Sequence, residues 1–308
     1  MPRVLRLIAA GVGAAALAGG CASSTRTTAP TTVSPLTAAP AASAGKRGSG
    51  PVNVLYAGSL VELMQNQMGP AFKAATGYTL NGFAAGSTAL AAQIKGKVRR
   101  GDVFISASPT VNKELEGAGN GGWVSWYVGF ADSPLVIGYN PHSRFAAQLR
   151  TKPWYQVVTE PGFLLGRTDP ATDPKGKLTV EALRAAATRY HEPALDGIAR
   201  STAGVYPEET LVGRLQAGQL DAGFFYTSET TAASIPTVPV TGQDLKATYT
   251  VTVLNGAPDQ AGARAFVEYL FSPAARELLR RAGFRLVQPA QVSGTGVPAA
   301  IVGSMAGS

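Results

Sequence analysis

The chain has 308 residues, with 27 Lys and Arg against 19 Asp and Glu for a formal charge of +8, and a single cysteine. Five of the basic residues and no acidic one lie within residues 1–50, so the rest carries 22 basic and 19 acidic residues, only +3. No basic run interleaved with aromatics remains, which argues against a nucleic-acid partner, and one cysteine leaves no disulfide and no Cys-based metal site.

Arg3 and Arg6 precede an apolar run from Leu7 to Leu17, followed by Ala18-Gly19-Gly20-Cys21. A basic start, a short apolar stretch and small residues at a cut site predict a secretory signal over residues 1–21. The run is too short for the roughly 20 apolar residues of a membrane span. Cys21 stands where a lipoprotein signal is cleaved and lipidated. The expectation is an exported protein held by a lipid on Cys21 at the outer face of the cytoplasmic membrane; the alternative is a plain cleaved signal with a chance cysteine. Residues 22–50, rich in Ala, Ser, Thr and Pro, cannot bury enough surface to offset their ordering entropy and read as a flexible tether.

A fold is expected from about residue 51 to 289. Val52–Tyr56 is a β-leaning run, followed by a helical pattern through Leu60, Leu63, Met64 and Met68 toward Phe72. Thr79–Phe83 reads as a second strand, and the helix after it places Leu90, Ile94 and Val98 on one side. Val103–Ile105 is a third strand, with a helical stretch from Thr110 toward Leu115. Strands alternating with helices predict a parallel α/β sheet. The pattern restarts after Trp126, with strands at Pro134–Tyr139 and Phe163–Gly166. Helices are expected at Leu178–Tyr190 and Glu208–Gln216, then strands at Ala222–Tyr226, Val238–Val240 and Thr248–Leu254. Helices at Ala261–Phe271 and Pro273–Ala282 close the fold, and residues 290–308 read as a loose tail. A return to the first unit near residue 245 predicts two lobes, residues 51–133 plus 245–289 and residues 134–244, around a cleft suited to a small ligand.

Three serine-bearing segments stand where a strand meets a helix: Gly58-Ser59-Leu60, Gly86-Ser87-Thr88 and Ser106-Ala107-Ser108-Pro109. Such junctions expose free backbone N–H groups at the positive end of a helix and suit an anion. Each serine can equally be a helix cap. Asp173, in Asp169-Pro170-Ala171-Thr172-Asp173-Pro174-Lys175-Gly176, reads either as a helix cap or as a ligand contact. Tyr226, ending a buried strand, carries a phenolic O–H that can reach the cleft or serve the core. The carboxylate pairs Glu208-Glu209 and Asp169/Asp173 read as solvated or capping clusters. No nucleophile elbow, H-E-x-x-H motif or phosphate loop occurs, and His142 and His191 lie far apart.

Val54-Leu55-Tyr56-Ala57-Gly58-Ser59-Leu60, Ala85-Gly86-Ser87 and Gly101-Asp102-Val103-Phe104-Ile105-Ser106-Ala107 resemble the molybdate/tungstate-binding proteins of ABC importers. The Asp-Pro-x-x-Asp-Pro-x-Gly stretch at 169–176 is similar to the tungstate-binding branch. Gly218-Gln219-Leu220-Asp221-Ala222-Gly223 running into Tyr226 is similar to the molybdate branch. The resemblance spans about residues 52–289. It implies a two-lobed periplasmic-binding-protein (type II) α/β fold that closes on a tetrahedral oxyanion, with Ser59 and Ser87 donating from one lobe, and Asp173, Tyr226 and the Val205 N–H meeting the ligand from the other. It implies molybdate or tungstate as ligand, an ABC permease and ATPase as partners, a monomer, no cofactor, no metal besides the oxyanion, and no enzymatic turnover.

Two positions depart from the pattern. The tungstate branch carries a coordinating Glu just before the strand-ending Tyr, and Phe225 stands there in this chain; Lys177 replaces an aromatic. The missing carboxylate points to a tetrahedral anion held by hydrogen bonds alone. A carboxylate facing a fully ionised anion without a cation would repel it, so the orientation of Asp173 decides between ligands. The alternatives are a binding protein for sulfate, phosphate or a small organic acid, or an extracellular sensor subunit.

Overall fold

The computed structural model describes residues 48–306; the expected signal, Cys21 and nearly all of the tether lie outside the described residues. Nine strands form a mixed sheet: β1 (Pro51–Ala57), β2 (Thr79–Ala85), β3 (Val103–Ser106), β4 (Trp126–Tyr139), β5 (Leu165–Gly166), β6 (Ala222–Tyr226), β7 (Thr237–Pro239), β8 (Lys246–Val253) and β9 (Arg285–Gly294). The order is β2-β1-β3-β8-β4-β6-β5, with β7 and β9 also paired to β4. β1 runs parallel to β2 and β3, and β5 parallel to β6, whereas β8 and β9 are antiparallel to their neighbours. The sheet expected to be parallel is therefore mixed. β4 joins its two parts: residues 126–134 pair with β8 or β9, and Leu135–Tyr139 pair with β6.

The apolar runs behave as strands buried on both faces do. Val52, Val54 and Tyr56 of β1 and Phe224, Phe225 and Tyr226 of β6 are fully buried. Helices Gly69–Thr76, Gln260–Leu270 and Pro273–Arg281 lay Phe72, Phe266, Val267 and Leu279 into the same core. The 17-residue helix Pro174–Tyr190 contributes Ala182, Leu183 and Ala186 from its buried side.

Three expectations differ from the structure. The helix Ser87–Lys95 stops at Gly96, Lys97 takes a left-handed φ of 56°, and Val98 is 77% exposed instead of joining Leu90 and Ile94. Phe163 and Leu164 precede a strand only two residues long, and Leu164 is exposed. The segment read as a loose tail continues β9 to Gly294 and then forms the helix Ala299–Ala306, with Ile301 fully buried. Pairing with β4 orders it, a tertiary cause that its Gly, Ala and Ser composition does not signal.

Candidate functional site

β1 and β2 are parallel neighbours, so the turns that follow them lie at one end of the sheet. Ser59 sits in the tight turn Gly58–Leu60, and Ser87 opens the helix Ser87–Lys95. The Ser59 hydroxyl shares a 2.8 Å hydrogen bond with the Tyr249 hydroxyl of β8. Ser87 Oγ accepts from the Ala107 N–H at 3.0 Å, which leaves its own hydrogen for another acceptor. The third junction is different. Ser108 Oγ caps the helix Pro109–Lys113 by accepting from Thr110 N, and Ser106 Oγ donates to the Ser108 carbonyl.

The second half of the chain meets these turns at two glycines. A Cβ on Gly86 would lie 2.5 Å from the Thr172 carbonyl and 3.1 Å from Asp173 Oδ2. A Cβ on Gly58 would lie 2.9 Å from both Glu208 Cβ and Glu209 N. Only glycine permits both approaches. The Ala89 N–H donates to the Thr172 carbonyl at 3.0 Å and ties the two segments.

Asp173 is a helix cap with one oxygen left over. Its Oδ1 caps the helix Pro174–Tyr190, accepting from Lys175 N at 2.8 Å and Gly176 N at 3.3 Å, and also accepts from Thr168 Oγ1 at 2.8 Å. Its Oδ2 is buried and unpaired. Tyr226 Oη is likewise buried without a partner, and its ring meets Tyr249 edge-on at 6.1 Å. Arg167 N donates to the Gly204 carbonyl and Tyr206 N to the Arg167 carbonyl, a pairing that leaves the Val205 N–H out. Val205 lines a cleft of about 350 Å³ with Gly86, Asp173 and Glu208. A second opening of about 160 Å³, with Gly58, Ser59, Glu208 and Glu229, lies on the other side of Glu208.

Glu208 corrects the sequence reading of a solvated pair. Glu209 is exposed, but Glu208 is 3% exposed, and both its carboxylate oxygens lack a hydrogen-bond partner. It opens the helix Glu208–Gln216 and lies within hydrogen-bond reach of Asp173. Two carboxylates so placed repel unless a proton or a cation intervenes. Phe225, where a carboxylate was expected and missed, packs against Leu211, Leu215 and Leu220. The site thus has a second carboxylate, delivered by another element.

A cation stands behind it. The Lys175 side chain is fully buried, and its Nζ lies 2.8 and 2.9 Å from the two Glu229 oxygens and 3.4 Å from Glu208 Oε1. Glu229 Oε2 also accepts from Tyr226 N at 2.7 Å. Burial pushes the Lys175 ammonium down, but Glu229, Glu208 and Asp173 together outweigh it and hold it above the ordinary lysine value. Burial, and then repulsion by Asp173, push the Glu208 carboxyl up to about 8 against the pull of Lys175. Burial likewise raises Glu229 and takes the Tyr226 and Tyr249 phenols well above their usual range, so both remain O–H donors. Among the described residues no group of three His, Cys, Asp or Glu is arranged to hold a metal ion.

Sequence reasoning missed Glu208, Lys175, Glu229 and Tyr249. Glu208 was read at the start of the helix as part of a solvated or capping pair, and burial looks the same as capping there. Nothing local marks Lys175, whose partner is 54 positions away.

Residues 52–285 match the model of the bacterial extracellular solute-binding protein family. A protein of Haloferax volcanii named for molybdenum binding by an ABC transporter is 32% identical over 220 residues, 71% of this chain and 66% of its own length. The molybdate/tungstate-binding protein WtpA of Pyrococcus abyssi is 24% identical over 210 residues, 51% of this chain and 61% of that one. This chain thus spans about two thirds or less of either relative. Among solved structures, the periplasmic molybdate-binding protein of Azotobacter vinelandii superposes with a TM-score of 0.59 at 19% identity, covering 77% of this chain and all of that one. The sulfate-binding protein SubI of Mycobacterium tuberculosis does so with 0.58 at 17% identity, covering 78% and 88%. These likenesses establish the periplasmic-binding-protein fold. The chain belongs to the bacterial extracellular solute-binding proteins.

Proposed function

We propose that this chain is the solute-binding component of an ABC importer and captures molybdate or tungstate between two lobes. β1–β3, β8, β9 and the first part of β4 form one lobe; β5–β7 and the end of β4 form the other. The observation that carries the reading is the convergence of buried polar groups with the Gly58-Ser59 and Gly86-Ser87 turns: Asp173 Oδ2 and Tyr226 Oη, which have no hydrogen-bond partner, and Glu208, whose Oε1 lies 3.4 Å from Lys175 Nζ. Ser59, Ser87, Tyr226 and the Val205 N–H supply donors. Such neutral dipoles stabilise a desolvated dianion without direct contact from a cation.

Asp173 and Glu208 favour molybdate or tungstate over sulfate. A molybdenum or tungsten centre can accept further oxygen ligands, whereas sulfur in sulfate cannot, so unpaired carboxylate oxygens are useful only to the former. Export, a lipid on Cys21 and a permease with its ATPase complete the reading. Membership of the extracellular solute-binding proteins supports binding without turnover.

Thermal unfolding with molybdate, tungstate, sulfate and phosphate in turn tests this. At 100 times its dissociation constant a ligand adds about 2.7 kcal/mol. The expected result is a shift with molybdate and tungstate that vanishes in Ser59→Ala/Ser87→Ala while that variant remains folded. A shift with sulfate alone would change the transported ion, and an unchanged shift in the double variant would remove the site assignment.

A further inference from the structure

At the end of β1–β3 opposite the serine turns, a cleft of about 500 Å³ is lined by Lys97, Arg99 and Arg100, with Trp123 on its wall and Ile94 and Leu254 among its lining residues. No acidic residue lines it. The carboxylates next in sequence to its lining are engaged within the fold: Asp102 accepts from Asn53 N, Asn53 Nδ2 and Asp259 N, and Asp259 Oδ1 accepts from Gly262 N, while half-buried Glu116 is bridged to Val124 beside Trp123. Arg99 lies over the Phe83 ring at 3.3 Å and donates to Gln93. The side chains of Lys97 and Arg100 form no ion pair or hydrogen bond among the described residues and are exposed. Between them Val98 projects, 77% exposed, the most exposed large apolar side chain among the described residues. Cations flanking an exposed apolar tip, beside an indole, suit an interface between water and lipid.

The position of the chain entry gives the occupant. β1 and β3 are parallel with Val54 opposite Val103, so Pro51, where β1 begins, is level with Arg100. The described chain begins at Gly48, next to this end. Residues 22–50, ahead of β1, carry Arg26, Lys46 and Arg47 and no acidic residue, so their charge does not complement the cleft. An anionic surface does.

We propose that the Lys97–Arg100 loop and its cleft form a membrane-docking face that binds the headgroups of anionic phospholipids. The face lies about seven strand residues, on the order of 20 Å, from the serine turns, so docking there leaves the oxyanion cleft open. This inference stands independently of which solute the protein carries. Attraction of this kind is weak and reversible, grows by about fivefold for each cation near the surface, and fades with salt.

Co-sedimentation with vesicles of phosphatidylglycerol and phosphatidylcholine, 1:1, against pure phosphatidylcholine tests it. The protein used is residues 45–308, which form a compact unit with their own core and lack any lipid anchor. Binding to the mixed vesicles at 20 mM salt, none to phosphatidylcholine, and loss at 500 mM salt are expected. Lys97→Ala/Arg100→Ala, both exposed, should weaken it by about 25-fold without altering the melting temperature. Val98→Ser should weaken it without changing its salt dependence. Equal binding to the two vesicle types, binding unaffected by the double variant, or no binding to either would overturn the proposal, the last pointing to an acidic protein partner instead.

Discussion

Replacing Lys175 by Met is expected to destabilise the folded protein by about 3–5 kcal/mol, the cost of removing one partner from a buried ion pair. Glu229, Glu208 and Asp173 would face one another without the only cation that reaches them among the described residues. Methionine fills most of the same volume, so the loss would be of charge and not of packing. The loss reads directly as a lower midpoint in urea unfolding. Lys175→Met/Glu229→Gln should recover part of it, because the carboxylate nearest the lost ammonium is then neutral. A single-variant cost under about 1 kcal/mol, within the range of exposed pairs, would mean that water or protons already do the work assigned to Lys175.

The second large effect is on pH. Glu208 keeps its proton up to about 8 in the folded protein, against 4.5 for the ordinary carboxyl. Between those values the folded state binds more protons than the unfolded one, so stability falls as pH rises through that window. The contribution is fully present below about 4.5 and lost above about 8. The slope approaches 1.4 kcal/mol per pH unit for one proton. Glu208→Gln carries a permanent neutral group, so its curve should decline less steeply, keeping only the part that the raised Glu229 carboxyl contributes. Unfolding by urea at pH 5, 6.5 and 8 for both proteins measures the difference. Parallel curves would show that the Glu208 carboxyl is ionised throughout, with Lys175 as its true counter-ion.

Much of the fold was legible because its cues are local. Val52–Tyr56, Ala222–Tyr226 and Glu208–Gln216 carry their periodicity on their own residues, and the strands and helix appear there. β9 and the helix after it were not legible, since their order comes from the edge of β4. Val98 was placed on a helix because its spacing from Ile94 fits. Gly96 and the left-handed Lys97 end the helix first.

The site divides in the same way. Ser59, Ser87, Asp173 and Tyr226 stand at strand ends, where the sequence exposes a junction. Their surroundings depend on which loops the two halves press together. Gly58 against Glu208 and Gly86 against Asp173 are contacts between residues some 150 and 87 positions apart in the chain. The charge balance of Lys175 with Glu229 and Glu208 is equally nonlocal. It turned a site expected to hold one carboxylate, Asp173, among neutral donors into one with two carboxylates and a cation behind them. Phe225 was a misleading absence, because the carboxylate it lacks arrives on Glu208.

The most direct test of the central claim is anomalous diffraction at the tungsten edge from crystals grown with tungstate. The account predicts one strong peak enclosed by Ser59, Ser87, Tyr226 and the carboxylates of Asp173 and Glu208. A peak elsewhere, or none in crystals of a protein that tungstate stabilises, would contradict it.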